Sequence, residues 1–235
     1  MKAATASAAG AAGLVPAPAA GKQTSFLRGF VTIDPVSGSG NMAVSISGDK
    51  YTGRVQRTLN FTATTNGGVS KALVVNQEAA VETVSVDSPA ASVPKIGGTV
   101  TITGKSNSTK LTFTSTPAEE NGLTLTLPDN YTAAGKSTAN GAVIADDPGA
   151  TGEFVWSISI ANVPANVTVE ELVANLTVTA NGGQTAQVTI TQAAGDSMLE
   201  LDKEVINLDV NGTAQTVNVT ANDLWTWRKQ QLRQP

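Results

Sequence analysis

The feature that most constrains this chain is an internal repeat, because residues 62–77 match residues 177–192 at an offset of 115. Both copies contain Thr-x-Thr-x-Asn-Gly-Gly, and both place ten residues between that Asn and a later Gln. The same offset aligns Gly97, Ile102 and Asn107 with Gly212, Val217 and Asn222. The two sets of matches fall at opposite ends of the repeated unit. The chain is therefore interpreted as a rear half, a complete unit and a front half.

These matches divide the chain into four segments. Residues 1–29 form an arm, residues 30–80 a partial immunoglobulin-like unit, residues 81–195 a complete unit, and residues 196–235 a second partial unit. A second pair of matches supports the assignment of the rear half. Asp34-Pro35 is followed by Ser-Ile-Ser at 45–47, just as Asp147-Pro148 is followed by Ser-Ile-Ser at 157–159.

Beyond the arm, apolar and hydroxyl residues alternate along short segments, which is typical of strands with one buried face and one wet face. Clear examples are TVTIT at 99–103, WSISI at 156–160 and VTIT at 188–191. Asn-Gly steps at 66–67, 121–122, 181–182 and 211–212 are expected to supply the positive φ of tight hairpins. We predict an all-β protein of tandem immunoglobulin-like β-sandwich domains with an extended N-terminal arm, and we expect Trp156 to be a core residue.

Neither half unit has enough strands to close a sandwich by itself. An unpaired apolar edge is a liability that strand donation removes. We hypothesise that the strands of residues 197–227 complete the half unit at residues 30–79, either within one chain or between chains. The alternative is that the C-terminal fragment is a frayed or truncated relic.

Composition limits the chemistry available to the chain, which contains no cysteine and no histidine. Histidine is the usual general base near neutral pH and the commonest metal ligand, and cysteine supplies thiolate nucleophiles and ligands. We therefore predict a protein that is not an enzyme, with no catalytic residues, no metal and no cofactor. An enzyme that uses only carboxylates remains an alternative.

Charge and hydropathy bear on partners. The first 29 residues and the last eleven each carry three bases and no acid, which leaves the middle of the chain with a net charge of −10. Basic ends on an acidic body indicate termini that dock on an acidic surface, or an arrangement due to chance. No apolar run is long enough to cross a bilayer, and no phosphate-binding loop or basic aromatic patch is present, so we expect neither membrane nor nucleic-acid binding.

The end of the complete unit and the segment after it contain Val-Thr-Ile-Thr-Gln at 188–192, Asn-Gly-Thr at 211–213 with a following Val, and Asn222 shortly before Trp225. In these features they resemble the BACON family of immunoglobulin-like domains, found in gut Bacteroidetes and their phages. The chain departs from the family after Trp227, where Arg-Lys-Gln-Gln replaces further strands. Relatives of this kind are suspected of binding carbohydrate or mucin.

Residues 10–29 of the N-terminal arm carry Gly-Leu-Val-Pro-x-Pro-x-x-Gly followed by Phe-Leu-Arg-Gly. In this pattern the arm is similar to that of phage head-fibre proteins, although the chain continues Phe-Val-Thr-Ile where that family commonly has Asp-Gly-Thr-Trp. The resemblance implies an arm that anchors the protein to the major capsid protein or another head protein, on the capsid surface of a virion, in a homo-oligomer that is often a trimer. The anchoring residues would be Leu14, Val15, Pro16, Pro18, Lys22, Phe26, Leu27 and Arg28.

The arm residues fit that role physically. The prolines favour extended polyproline II, which loses little entropy when it binds a groove. The apolar side chains have no evident local core, and the bases could pair with capsid carboxylates. The alternative is a disordered linker rich in Ala, Pro and Gly.

Trp225 and Trp227 are the candidate contacts for host glycans, since residues two apart on a strand share one face and indoles stack on sugar rings. Core or interface packing is the alternative for this pair. Acid pairs at 119–120, 146–147 and 170–171 lack the spacing of a calcium loop and are interpreted as solvated turns.

We therefore expect a head fibre or capsid decoration protein whose immunoglobulin-like domains project from the capsid. A rival expectation is a secreted carbohydrate-binding module of a gut bacterium, because the first 21 residues imitate a signal peptide. A carboxylate glycosidase is the third class, and it requires two acids facing each other in a sugar-sized cleft.

Overall fold

The computed structural model describes residues 26–229. Within this range the chain forms sixteen β-strands and one short 3-10 helix, so the all-β class predicted from the sequence is confirmed. The chain divides into two compact units. One contains residues up to Lys50 together with Leu59–Val75, and the other contains Tyr51–Thr58 and the residues from Asn76 onward.

The first unit contains a three-stranded antiparallel sheet of β1 (Phe26–Arg28), β2 (Val31–Asp34) and β3 (Ser45–Gly48), in that order. β1 and β2 are joined through Gly29, whose φ of 62° suits a two-residue hairpin turn with glycine in first position. The last residues of the predicted arm are thus paired with a strand. Two longer strands, β4 (Arg57–Thr64) and β5 (Ser70–Gln77), form a separate hairpin.

The second unit contains a complete two-sheet sandwich. Its elements are β6 (Val84–Val86), β7 (Ala90–Val93), β8 (Gly98–Ser106), β9 (Leu111–Pro117), β10 (Asn130–Ala133), β11 (Lys136–Ala139), the 3-10 helix (Pro148–Ala150), β12 (Phe154–Val163), β13 (Leu172–Ala180) and β14 (Thr185–Gln192). One sheet has the order β11-β10-β12-β8-β6 and the other β7-β14-β13-β9. The first strand of the immunoglobulin pattern is split here into β6, which joins the first sheet, and β7, which joins the second. The remaining strands follow the immunoglobulin arrangement.

Period-two alternation produces the sandwich core, as the sequence predicts. Along β12 and β13 buried residues alternate with more exposed ones, so each strand contributes one face to the interior. Trp156 in β12 is fully buried, which confirms its expected place in the core. Its ring lies 5.3 Å from that of Phe113, which in turn lies 4.8 Å from the ring of Tyr131. Three aromatic rings from three strands therefore fill the centre between the sheets.

Beyond the sandwich, β15 (Leu199–Leu201) and β16 (Val219–Ala221) form a two-stranded antiparallel sheet, the C-terminal strand pair. In this pair Leu199 lies opposite Ala221. In the sandwich Val84 of β6 lies opposite Ser106 of β8, and each of these residues is 115 positions upstream of its counterpart. The C-terminal strand pair therefore reproduces the first strands of the repeat in the same register.

The hairpin turns repeat as well. The amide of Thr65 donates to the carbonyl of Val69 at 2.9 Å, and the amide of Ala180 donates to that of Gln184 at 2.8 Å. The positive φ falls on Gly68 and Gly183, at 83° and 86°. The prediction that the Asn-Gly steps themselves supply it is wrong here by one residue, because the second glycine of each Asn-Gly-Gly turn takes the left-handed position of a three-residue hairpin loop.

At the other two Asn-Gly steps the expectation has a mixed outcome. Gly212 has a φ of 66°, as predicted. Gly122 is not in the left-handed region; its amide instead donates to the carbonyl of Glu119 at 2.9 Å. The turn at 119–122 is therefore an ordinary β-turn.

Candidate functional site

The most elaborate polar arrangement in the described residues surrounds Asn107, which directly follows β8 and is fully buried. Its Nδ2 donates to the carbonyl of Thr52 at 2.7 Å and to that of Val81 at 2.9 Å. Its Oδ1 accepts the amide of Thr83 at 2.7 Å. One carboxamide therefore holds three backbone groups from two separate segments, and we call this arrangement the asparagine clasp.

The same clasp recurs 115 residues later at Asn222, directly after β16. Here Nδ2 donates to the carbonyls of Val167 at 2.8 Å and Asp196 at 2.9 Å, and Oδ1 accepts the amide of Met198 at 2.7 Å. Every partner is the counterpart, at the repeat offset, of a partner of Asn107. The clasp is thus a property of the repeat. Asn222 joins the start of the C-terminal partial unit to the loop after β12, and Asn107 joins the start of the complete unit to the equivalent segment upstream, at Thr52.

A second set of contacts surrounds the clasp at Asn107. The backbone amides of Arg54 and Val55 donate to the carbonyls of Gly149 and Ala150 at 3.1 and 3.0 Å. The Arg54 guanidinium donates to the carbonyl of Asn107 and pairs with a carboxylate oxygen of Asp147. Because the Arg54 side chain is mostly buried, its charge-assisted hydrogen bonds are stronger than those of an exposed pair. Residues 51–55 are therefore bound along the 3-10 helix.

Close packing fixes the same region. A Cβ added at Gly149 would lie 1.9 Å from the carbonyl oxygen of Asn107, and one added at Gly53 would lie 2.6 Å from the carbonyl carbon of Thr151. The backbones approach too closely at these two points for any side chain. Glycine is thus required beside the clasp on both approaching segments.

The sequence comparison aligned Asn107 with Asn222 but assigned neither a role. Their function became visible only from the carbonyl and amide groups that each carboxamide contacts. A sequence signal for it exists, because a non-turn asparagine at the same repeat position in two units indicates a buried polar contact rather than a hairpin.

Five of the predicted anchoring residues lie outside the described residues: Leu14, Val15, Pro16, Pro18 and Lys22. Phe26, Leu27 and Arg28 lie in β1, of which only the backbone is described. Their pairing with Ile33, Thr32 and Val31 in β2 places them at the edge of the first sheet.

The predicted glycan contacts, Trp225 and Trp227, lie in an irregular segment rather than on a strand. Their ring centroids are 5.8 Å apart and the rings are nearly perpendicular, at 81°. Both indoles are exposed, at 46% and 68%. They border a small apolar concavity lined also by Leu199, Leu201 and Val219, so they extend an exposed apolar face of the C-terminal strand pair.

The acid pairs occupy exposed or ion-paired positions. Lys136 donates to Asp146, and the hydrogen bond with this ammonium lowers the pKa of the exposed Asp146 carboxyl. Glu119 and Glu120 are exposed beside the turn at 119–122. Within residues 26–229 no cluster of three or more acidic side chains is arranged to hold a metal ion. No helix in this range has the length and apolar character needed to span a bilayer.

A family model described as Toastrack DUF4097 matches residues 70–224, which run from the start of β5 through the sandwich to the segment just before Trp225. No curated protein matches the chain significantly. Because the matched region covers more than half of the 235 residues, the protein belongs to the Toastrack DUF4097 family.

Proposed function

We propose that the protein is a structural component of a virion, a head fibre or capsid decoration protein that is anchored by its N-terminal arm and projects its immunoglobulin-like units outward. The observation that supports this most directly is the recurrence of the asparagine clasp at the repeat offset. A clasp at the start of two successive units suits a chain that holds modules in sequence. No chemistry is required of such a protein.

The arm supplies the attachment in this proposal. The resemblance of residues 10–29 to the arms of phage head-fibre proteins supports the assignment, and the apolar Leu14 and Val15 beside two prolines suit a preorganised extended strap. The bases of the arm, Lys22 and Arg28, would pair with carboxylates on the capsid. The partner is therefore a head protein with an apolar groove bordered by acids.

Particles purified from the phage that encodes the chain provide the test. Electron microscopy should find the protein on the capsid exterior, and purified protein should cosediment with particles that lack it. Leu14→Asp with Val15→Asp should abolish cosedimentation, because two charges would have to enter the groove. Ala11→Asp with Ala12→Asp is the matched control, since it adds the same charge next to the proposed anchor. Equal cosedimentation of both double variants would refute the anchoring role.

The exposed indoles favour a second candidate function, contact with host surface glycans, which would suit either a virion protein or a secreted carbohydrate-binding module. Both indoles are exposed, and exposed indole rings suit stacking on a sugar ring. Trp227→Ala should remove binding on a glycan array while the buried Trp156 remains as a fluorescent reporter of the fold. Intact-mass analysis separates the two settings, because retention of Met1 indicates a virion protein and cleavage near residue 20 indicates secretion.

A further inference from the structure

Among the edge strands in the described residues, β3 and β16 are the counterparts of strands that pair with each other in the complete sandwich. There β8 lies between β6 and β12, and β12 lies between β8 and β10. β16 is the repeat counterpart of the end of β8, and its described strand partner is β15. β3 is the counterpart of the middle of β12, through the shared Ser-Ile-Ser, and its described partner is β2. Each partial sheet thus has the edge that the other would cover.

The faces of these partial sheets are apolar and exposed where their counterparts are buried. On the rear-half side the shared Ser-Ile-Ser sets an offset of 112, shorter than 115, which aligns Val44 and Ile46 with Trp156 and Ile158. Val44 and Ile46 are 49% and 40% exposed, whereas Trp156 and Ile158 are at 0% and 1%. On the front-half side, Leu199 and Leu201 are exposed, whereas their counterparts Val84 and Val86 are partly buried against the core. Exposed apolar side chains grouped in this way are typical of an interaction surface.

The pair of residues that would meet at the centre of the seam has compensating sizes. In the sandwich Gly104 lies opposite Trp156, and a Cβ at Gly104 would lie 2.5 Å from the indole ring. The counterparts of these two residues are Val219 and Val44. The glycine has become larger while the tryptophan has become smaller, so the pair conserves volume and avoids the clash. This exchange is expected if residues 216–221 lie beside residues 42–47 in the way that β8 lies beside β12.

A second seam is available between the other pair of sheets. In the sandwich β7 pairs in parallel with β14, with Ala90 opposite Thr189. The counterpart of β7 is residues 205–208, and the counterpart of β14 is β5. The residues that would meet there, Val205 and Val74, are exposed, as their paired counterparts Ala90 and Thr189 are on the outer face of the sandwich. Both sheets of an immunoglobulin-like module would thus be extended by the same donor segment.

We propose that copies of this chain associate head to tail, with residues 199–221 of one copy inserted as the first strands of the module formed by residues 31–77 of a second copy. The β8–β12 register sets the alignment, in which Val217 lies opposite Ile46 and Thr216 opposite Ser47. Charge agrees with this pairing. Residues 196–229 contain six acids and three bases, whereas the first unit contains two acids and three bases among its described residues.

Engineered cysteines test the register directly, because the chain contains no cysteine of its own. In the sandwich the side-chain oxygens of Thr101 and Ser159 are 2.9 Å apart, so cysteines at their counterparts, Thr216 and Ser47, would lie within disulfide reach. Both positions are exposed, and Ser47→Cys and Thr216→Cys should each leave the fold intact. Mixing the two single variants under mild oxidation should give a covalent dimer that reductant separates. The double variant should give a ladder of multimers on a non-reducing gel.

Thr220→Cys mixed with Ser47→Cys is the matched control. Thr220 lies four residues after Thr216, on the same face of an extended strand, but it is out of register with Ser47. Heterodimer yield from the in-register pair should exceed that of this control at least about tenfold. Equal yields from the two mixtures would overturn the proposal. So would a double variant that closes its disulfide within single chains, because the completion would then be intramolecular.

This self-association does not depend on the virion role. A covalent ladder with no capsid cosedimentation would leave the head-to-tail contact standing and remove the anchoring proposal. Cosedimentation without any crosslink would leave the anchoring proposal standing and remove the head-to-tail contact.

Discussion

The complete sandwich and the C-terminal strand pair contain the same two strands in the same register, but only the sandwich buries their side chains. Val84 and Val86 of β6 are partly buried against the sandwich core, whereas their counterparts in β15, Leu199 and Leu201, are 57% and 38% exposed. The clasps at Asn107 and Asn222 make the same three hydrogen bonds in both places. Pairing register and clasp are thus specified locally, whereas burial requires the later strands of the unit.

This difference has an energetic meaning. Full burial of a Val or Leu side chain contributes about 1.5–3 kcal/mol relative to exposure. The sandwich gains this at more than a dozen positions, while the C-terminal strand pair gains little and depends on backbone hydrogen bonds and its clasp. A two-stranded sheet of this kind is marginal in isolation.

The largest expected difference between the two regions concerns their tryptophans. Trp156→Ala should lower the free energy of unfolding of the sandwich by about 3–5 kcal/mol, because it empties the centre of the aromatic cluster. Trp225→Ala should change it by less than about 0.5 kcal/mol, since that indole is exposed. Urea unfolding followed by circular dichroism at low protein concentration measures both. Similar losses would show that the C-terminal segment is part of the sandwich core.

The next largest difference is expected between the two clasps, in the free energy of unfolding that is lost when each asparagine is replaced. Asn107→Ala is expected to cost about 2–3 kcal/mol, because it leaves the carbonyls of Thr52 and Val81 and the amide of Thr83 without their partner in a buried site. Asn222→Ala should cost about 1 kcal/mol or less, since water can reach its partly exposed position. Asn130→Ala, at an exposed strand position, is the control. Equal costs at Asn107 and Asn222 would mean that burial does not govern the strength of the clasp.

How far the sequence determines this structure can be judged from the same residues. Alternation in β12 and β13 predicted strands and a buried Trp156 because period two is a property of the chain alone. The repeated asparagine indicates a buried polar contact, but the partners of Asn107 were not predictable, since they are backbone groups 55 and 26 residues away. The residue with positive φ in the Asn-Gly-Gly turns was predicted one position too early, because the length of the loop, and not the Asn-Gly dipeptide, selects the turn type. The roles of Trp225 and Trp227 and of the arm remain predictions.

A smaller difference in stability is expected between Gly104, at the centre of the sandwich, and its counterpart in the C-terminal strand pair. Gly104→Ala should destabilise the sandwich by about 1–3 kcal/mol, because the added Cβ would lie 2.0 Å from the carbonyl oxygen of Ser85 and against the Trp156 ring. The counterpart, Val219, already carries a branched side chain, so Val219→Ala should change the stability of the monomer by less than about 0.5 kcal/mol. Thermal unfolding of both variants measures the difference. A neutral Gly104→Ala would show that β6 and Trp156 can move apart to accept a methyl group.

The smallest effect should appear as a pH dependence confined to one turn. Hydrogen bonds from the amide and the hydroxyl of Thr213, at 2.9 and 2.7 Å, lower the pKa of the Asp209 carboxyl from its ordinary value of 3.8. A carboxyl whose pKa is lowered by folding stabilises the folded form above its ordinary pKa, and this contribution is lost as the pH falls through the lowered value. At the same repeat position the sandwich has Pro94, which closes its turn with Gly97 through backbone groups that do not titrate. Amide hydrogen exchange, corrected for its intrinsic pH dependence, should therefore show Thr213 losing protection below about pH 4 while Gly97 does not. Asp209→Asn should make the protection of Thr213 independent of pH in this range, and an unchanged acid response in that variant would assign the loosening to another group.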